Sequence, residues 1–111
     1  MSSNPTPQRN LTIDLRVSDD GTPTLVCRGR INLENASLFR SEVKSLALQH
    51  KLVLADLSGV DTVDSSGLGS ILGTYISAKS DGCELKLINV HPRVKDLLNI
   101  THLNSIFEGH R

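Results

Sequence analysis

Val63-Asp64-Ser65-Ser66-Gly67-Leu68-Gly69-Ser70-Ile71-Leu72-Gly73-Thr74-Tyr75 reads as the end of a buried strand, the start of a helix, and a joint that carries hydroxyls. Upstream, Leu52-Val53-Leu54-Ala55 is an apolar run of strand length. Leu57, Val60 and Val63 then recur among Gly59, Asp56, Asp61 and Asp64, which reads as an ordered, packed loop over residues 56–66. Downstream, Leu68, Ile71, Leu72, Tyr75 and Ile76 have the spacing of one apolar helix face. Asp64, Ser65 and Ser66 can each cap this helix, because a short side-chain oxygen accepts from an unpaired first-turn N–H.

Gly69 and Gly73 stand beside the apolar stripe, and each lowers helix propensity by about 1 kcal/mol relative to Ala. Two readings account for them: close packing against another helix of the same domain, or a bare docking surface for another protein.

The 111 residues suffice for one domain and one core. Twelve Lys plus Arg balance twelve Asp plus Glu, there is no basic tract, and Trp is absent, which argues against nucleic acid as a partner. No basic segment followed by an apolar one opens the chain and no apolar run approaches membrane-spanning length, so the expectation is a cytoplasmic protein. Cys27 and Cys83 sit in or beside strand-like runs and read as small buried thiols rather than a disulfide.

Residues 1–10 are polar with two prolines and read as a disordered tail, leaving residues 11–111 as the domain. Leu11, Ile13, Leu15 and Val17 alternate with polar residues as in a strand with one wet face. Asp19-Asp20-Gly21 is a turn, and Thr24 to Arg28 a second strand completing an antiparallel hairpin. Gly29-Arg30-Ile31-Asn32 leads into a helix over residues 33–48 with Ala36, Phe39, Val43, Leu46 and Ala47 inward; Asn32 is its expected N-cap and Asn35 the competitor. Residues 84–90 supply a strand, Pro92 opens a helix with Val94, Leu97 and Leu98 inward, and Leu103, Ile106 and Phe107 mark a short strand or docked turn.

This order predicts an α/β fold: a mixed, mostly parallel sheet of four to five strands with an N-terminal antiparallel strand and helices packed on it. The loops at residues 30–32, 56–66 and 89–92 are then expected to be neighbours at the carboxyl ends of the strands, with Ser66 on that rim.

The residues exclude several chemistries there. The glycines at 67, 69 and 73 miss the dinucleotide-binding spacing by one residue, and no P-loop lysine follows them. Ser65 has Val63 where a nucleophile elbow needs its first glycine. His50, His91, His102 and His110 are too scattered to assign as base or metal ligand, and the loop aspartates are explained as caps and turn residues. Neither a metal nor a cofactor is expected.

The run Asp64-Ser65-Ser66-Gly67-Leu68-Gly69, followed by Ile71-Leu72-Gly73 and Tyr75 and preceded by Leu52-Val53-Leu54-Ala55-Asp56-Leu57-Ser58, closely resembles the STAS domain of bacterial anti-sigma factor antagonists. The resemblance covers most of the chain and is most specific over residues 52–75. It implies a non-enzymatic partner-switching module. Unphosphorylated, it binds an anti-sigma factor that is also a serine kinase of the histidine-kinase-like ATPase class; a serine phosphatase resets it. By motif position the implied phosphosite is Ser66, with Ser65 and Thr62 as alternatives, and the implied partner-binding residues are Arg30, Asn32, Asp64, Ser65, Ser66, Gly67, Gly69, Ser70 and Gly73. Where the family carries an acidic pair in a G-E-[LI]-D pattern, this chain reads Gly29-Arg30-Ile31-Asn32. A monomer or weak dimer is expected. The other readings are a STAS adaptor docking on an ABC-type lipid-transporter ATPase and, last, a serine hydrolase built on Ser66.

Overall fold

The computed structural model describes residues 10–103. Seven elements follow one another: β1 (Leu11–Val17), β2 (Pro23–Ile31), α1 (Ala36–Ala47), β3 (Leu52–Val63), α2 (Ser65–Ser80), β4 (Glu84–Ile88) and α3 (Pro92–Ile100). The four strands form one sheet in the order β1-β2-β3-β4. β1 is antiparallel to β2, while β2, β3 and β4 are parallel, as the alternation of strands and helices requires.

One sheet face is aliphatic because the register lines up Leu25 with Ala55, Ala55 with Leu87, and Val53 with Leu85. These residues are buried with Phe39 and Val43 of α1 and Ile71 and Ala78 of α2. The two crossovers step the same way across the sheet, and the right-handed rule for such connections sets α1 and α2 side by side on this face, where they touch each other. Lys44 of α1 ties them together, donating to Ser77 Oγ and pairing with Asp81 Oδ2, each at 2.6 Å. α3 packs on β3 through buried Val94 and Leu98, with Leu97 half-buried. Cys27 and Cys83 are buried, unpaired thiols; burial, with the charges of Asp56 and Glu42, pushes Cys27 up to about 12, so it stays protonated.

Some boundaries depart from expectation. The loop expected over residues 56–66 is instead strand to Val63: its partner β2 is also longer than its apolar core, and the two pair as far as Ile31 opposite Val63. Register shifts between Val26 and Arg28 and between Gly29 and Arg30 break the alternation that would have revealed this. α1 starts at Ala36 rather than residue 33, because residues 33–35 form a turn whose Glu34 and Asn35 N–H groups donate to Asn32 Oδ1. Asn35 precedes the helix but makes no side-chain cap; its Oδ1 instead accepts from Asn32 N–H. β4 stops at Ile88, because Asn89 turns into the left-handed region at φ 52. Pro92 opens α3 as expected, behind a His91 ring that accepts from Arg93 N–H. The expected tail and the expected strand or turn at Ile106 and Phe107 lie outside the described residues; Leu103 is half-buried.

Asn89 donates to Asp56 Oδ2 at 3.0 Å and Ser58 N–H to Asp56 Oδ1 at 2.9 Å, joining the end of β4 to the middle of β3. Partial burial raises the Asp56 carboxyl, but these bonds and the nearby Arg28 charge outweigh it and hold it below the ordinary value. A depressed native pKa contributes stability above the unfolded pKa and loses it as pH falls through the native one. The stability gap between wild type and Asp56→Asn is therefore expected to be full near neutrality and to narrow on acidification below about pH 4, in urea melts across pH.

Candidate functional site

Beyond the level of Asp56, β2 and β3 continue together without β4, and α2 begins where they end. Asp64 N–H donates to the Ile31 carbonyl at 3.3 Å, so the strand pairing passes directly into the helix start. Asp64 is extended (φ −86, ψ 179), and its Oδ1 accepts from Gly67 N–H at 2.7 Å. Of the three candidate caps, Asp64 takes the role. Ser65 and Ser66 therefore occupy the first two helical positions, exposed, with hydroxyls in no hydrogen bond among the described residues.

Gly67 explains how the helix comes so close. A Cβ there would overlap the Ile31 carbonyl oxygen, a backbone atom that cannot move aside. Any larger residue would lift the first turn of α2, and Ser66 with it, away from β2.

The far side of α2 settles the question of the two other glycines. A Cβ at Gly69 or Gly73 meets nothing within 4 Å among the described residues, so no described helix packs there. The buried face runs through Gly67, Ile71, Thr74 and Ala78, with Leu68, Leu72 and Tyr75 half-buried at its flank. Ile76, expected inward, is 58% exposed, because the core sees α2 about one residue position away from the centre of the apolar stripe. Thr74 fills a core position and satisfies its hydroxyl by donating to the Ser70 carbonyl at 2.7 Å. Ser66, Gly69, Gly73 and Ile76 thus share an exposed, nearly side-chain-free strip of helix. Ile76 is the residue that sequence reading missed; its helical spacing from Gly69 and Gly73 was the available signal.

Arg30 and Thr62 are opposite each other in the β2–β3 register, and both are exposed. Thr62 Oγ1 donates to Asp61 Oδ1 at 3.0 Å. The Arg30 backbone is held on two sides, by Asn10 O accepting from its N–H and by Asn35 Nδ2 donating to its carbonyl, each at 2.9 Å. Asn32 and Ser70 are half-buried. Of the expected site residues, the structure gathers Arg30, Asn32, Thr62 and residues 64–67 at one end of the β2–β3 pair, and extends the group along α2 through Gly69, Ser70 and Gly73. The loop at residues 89–92 is not part of it: Asn89 meets Asp56, roughly 20 Å back along β3 at ordinary strand rise. His50 precedes β3 at its opposite end, and His91 Nδ1 is occupied as a helix cap. Among the described residues no cluster of His, Cys, Asp or Glu could hold a metal ion, and the shallow opening of about 290 Å³ lined by Lys51, Lys79 and Cys83 lies by the first residues of β4. No described helix is long and apolar enough to cross a membrane.

The family model of the STAS domain matches residues 13–111. The anti-sigma-B factor antagonist of Bacillus subtilis is 30% identical over 99 residues, covering 89% of this chain and 90% of the relative. The chain belongs to the STAS family of anti-sigma factor antagonists. Solved structures agree on the STAS fold. An anti-sigma factor antagonist from Mycobacterium paratuberculosis superposes with a TM-score of 0.74 at 19% identity, covering 87% of this chain and 82% of that one. The Bacillus cell fate determinant SpoIIAA in its phosphorylated form does so with a TM-score of 0.63 at 17% identity, covering 84% and 86%.

Two sets of substitutions test this account of the STAS site. Asp64→Ala is expected to lower stability by about 1 kcal/mol through the lost cap, and Gly67→Ala by about 2–3 kcal/mol, both read in urea melts. Gly73→Ala, facing open space, is expected to raise stability by about 0.5–1 kcal/mol in the same assay.

Proposed function

We propose that this chain is a partner-switching anti-sigma factor antagonist controlled by phosphorylation of Ser66. Unphosphorylated, it binds an anti-sigma factor that doubles as its serine kinase and so frees the sigma factor; the modified form no longer binds, and a serine phosphatase restores it. The kinase is of the histidine-kinase-like ATPase class, and the exchange takes place in the cytoplasm. The observation that carries this reading is the state of Ser66: exposed, outside every hydrogen bond of the described residues, and relieved of capping by Asp64. Family membership supports it, as does the existence of a phosphorylated form of the structural relative SpoIIAA.

Electrostatics supports a switch that leaves the fold intact. A phosphate adds roughly 1.5 to 2 negative charges. At the second position of α2 it meets first-turn N–H groups and the positive end of the helix dipole, which accommodate it. Towards a partner, the same charge joins those of Asp61 and Asp64 on a surface that must desolvate to dock. The docking surface in this reading is the strip of Ser66, Gly69 and Gly73, where a partner reaches helix backbone directly, bordered by Asp64, Ser65, Ser70 and Ile76. Gly67 serves it from below by seating the helix. Arg30 and Asn32, in place of an acidic pair, set which anti-sigma factor is accepted.

Incubation of the purified chain with its cognate kinase and ATP is expected to place one phosphate on Ser66, mapped by fragmentation so that Ser65 and Thr62 are distinguished. Ser66→Ala should remain unlabelled and still bind the anti-sigma factor. Ser66→Asp should keep its circular dichroism spectrum and melting cooperativity while binding about a hundredfold more weakly, a loss of about 3 kcal/mol in calorimetric titration. Equal binding by the phosphorylated and unphosphorylated wild type sinks the proposal and leaves a passive adaptor.

A further inference from the structure

β1 is an edge strand whose guards are its charged side chains, Asp14 and Arg16. One side pairs with β2, and its other row of N–H and C=O groups has no partner among the described residues. It has no Pro and no register shift along its seven residues, features by which natural edges are commonly blunted. Leu15 and Val17 are 52% and 61% exposed, although their partners in β2, Leu25 and Pro23, are buried. The cover over β2 therefore reaches only the first part of β1, where Leu11 is buried and Ile13 half-buried, and leaves Leu15 and Val17 uncovered along the unpaired edge.

We propose that this edge binds a second copy of the chain, β1 against β1 in antiparallel pairing centred on Leu15, so that the two sheets become continuous. The occupant follows from the order of charges in Leu11-Thr12-Ile13-Asp14-Leu15-Arg16-Val17. A two-fold axis between identical antiparallel strands sets one residue opposite itself. With Leu15 at that point, Ile13 of each copy faces Val17 of the other, and Asp14 of each faces Arg16 of the other. Opposite charges thus meet twice, and the exposed apolar residues cover one another on the helix side. Moving the centre to Asp14 or Arg16 sets a like-charged pair face to face, which destabilises; moving it to Ile13 shortens the overlap and faces Asp14 with Thr12. Arg16 is exposed and in no ion pair among the described residues, and Asp14 holds only the exposed Arg28 at 3.3 Å. Specific interfaces bury roughly 1,200–2,000 Å² in total, and two seven-residue strands fall short of that, so the dimer is weak and reversible. It uses neither Ser66 nor α2 and stands independently of the proposed switch.

Sedimentation equilibrium of the full chain, from low micromolar to several hundred micromolar, is expected to show a monomer–dimer equilibrium. Arg16→Asp and Asp14→Arg, each alone, oppose like charges twice and are expected to raise the dimer Kd about tenfold or more. Mixed in equal amounts, the same two variants present Asp–Arg pairs again, and a heterodimer about as tight as the wild-type dimer is expected. Leu15→Lys, a change at an exposed position, should abolish association while the melting curve of the monomer is retained. A wild-type chain that stays monomeric throughout overturns the proposal. So does a dimer that survives Leu15→Lys, or a mixture of the two charge variants that forms no heterodimer.

Discussion

The bond from Asp64 N–H to the Ile31 carbonyl, with Gly67 lying bare against the same carbonyl, is the contact on which the functional end of this molecule depends. It joins three things that the chain order keeps apart: the last residue of β2, the last of β3 and the first turn of α2. A helix seated this low presents its second residue at the tip of the sheet instead of over its face. The carbonyl is backbone and cannot yield, so the position of Ser66 is set by hard contact as much as by hydrogen bonding.

Division of labour within the first turn follows from that contact. A helix N-terminus leaves several N–H groups unpaired, and one carboxylate answers for the cap here. Because Asp64 does so from just outside the helix, the two serines behind it keep their hydroxyls. Had Ser66 been the cap, its oxygen would be held in a hydrogen bond and poorly placed for transfer of a phosphate. The same electrostatic end of α2 that Asp64 neutralises in part is suited to the added charge of a modified serine, which is why a chemical switch at this position need not disturb the fold.

The outward strip of α2 runs against local preference. Gly69 and Gly73 weaken the helix in which they sit and meet no described part of the domain. Exposed Ile76 continues the strip, and exposed Leu15 and Val17 open a separate apolar edge on β1, away from α2. Both features cost stability or solubility in an isolated domain, and both make sense as surfaces completed by another molecule. In the functions proposed for them, one meets a partner at bare helix backbone and the other through strand pairing.

Periodicity and turn chemistry alone determined the fold class, the order of the elements, the N-terminal hairpin and Pro92 at the start of α3, because these depend on residues close together in the chain. The spacing of Asp64, Ser65, Ser66 and Gly67 likewise located the joint between strand and helix. Only the tertiary structure decided which of three oxygens caps α2, since that choice turns on where the Ile31 carbonyl lies. It also extended β3 to Val63 through register shifts that hide the strand period, separated Asn89 from the Ser66 end, and turned Ile76 and the two glycines outward. The reason is common to all of these: each is set by contacts between segments far apart in sequence, and the local pattern of a segment does not record what will be packed against it.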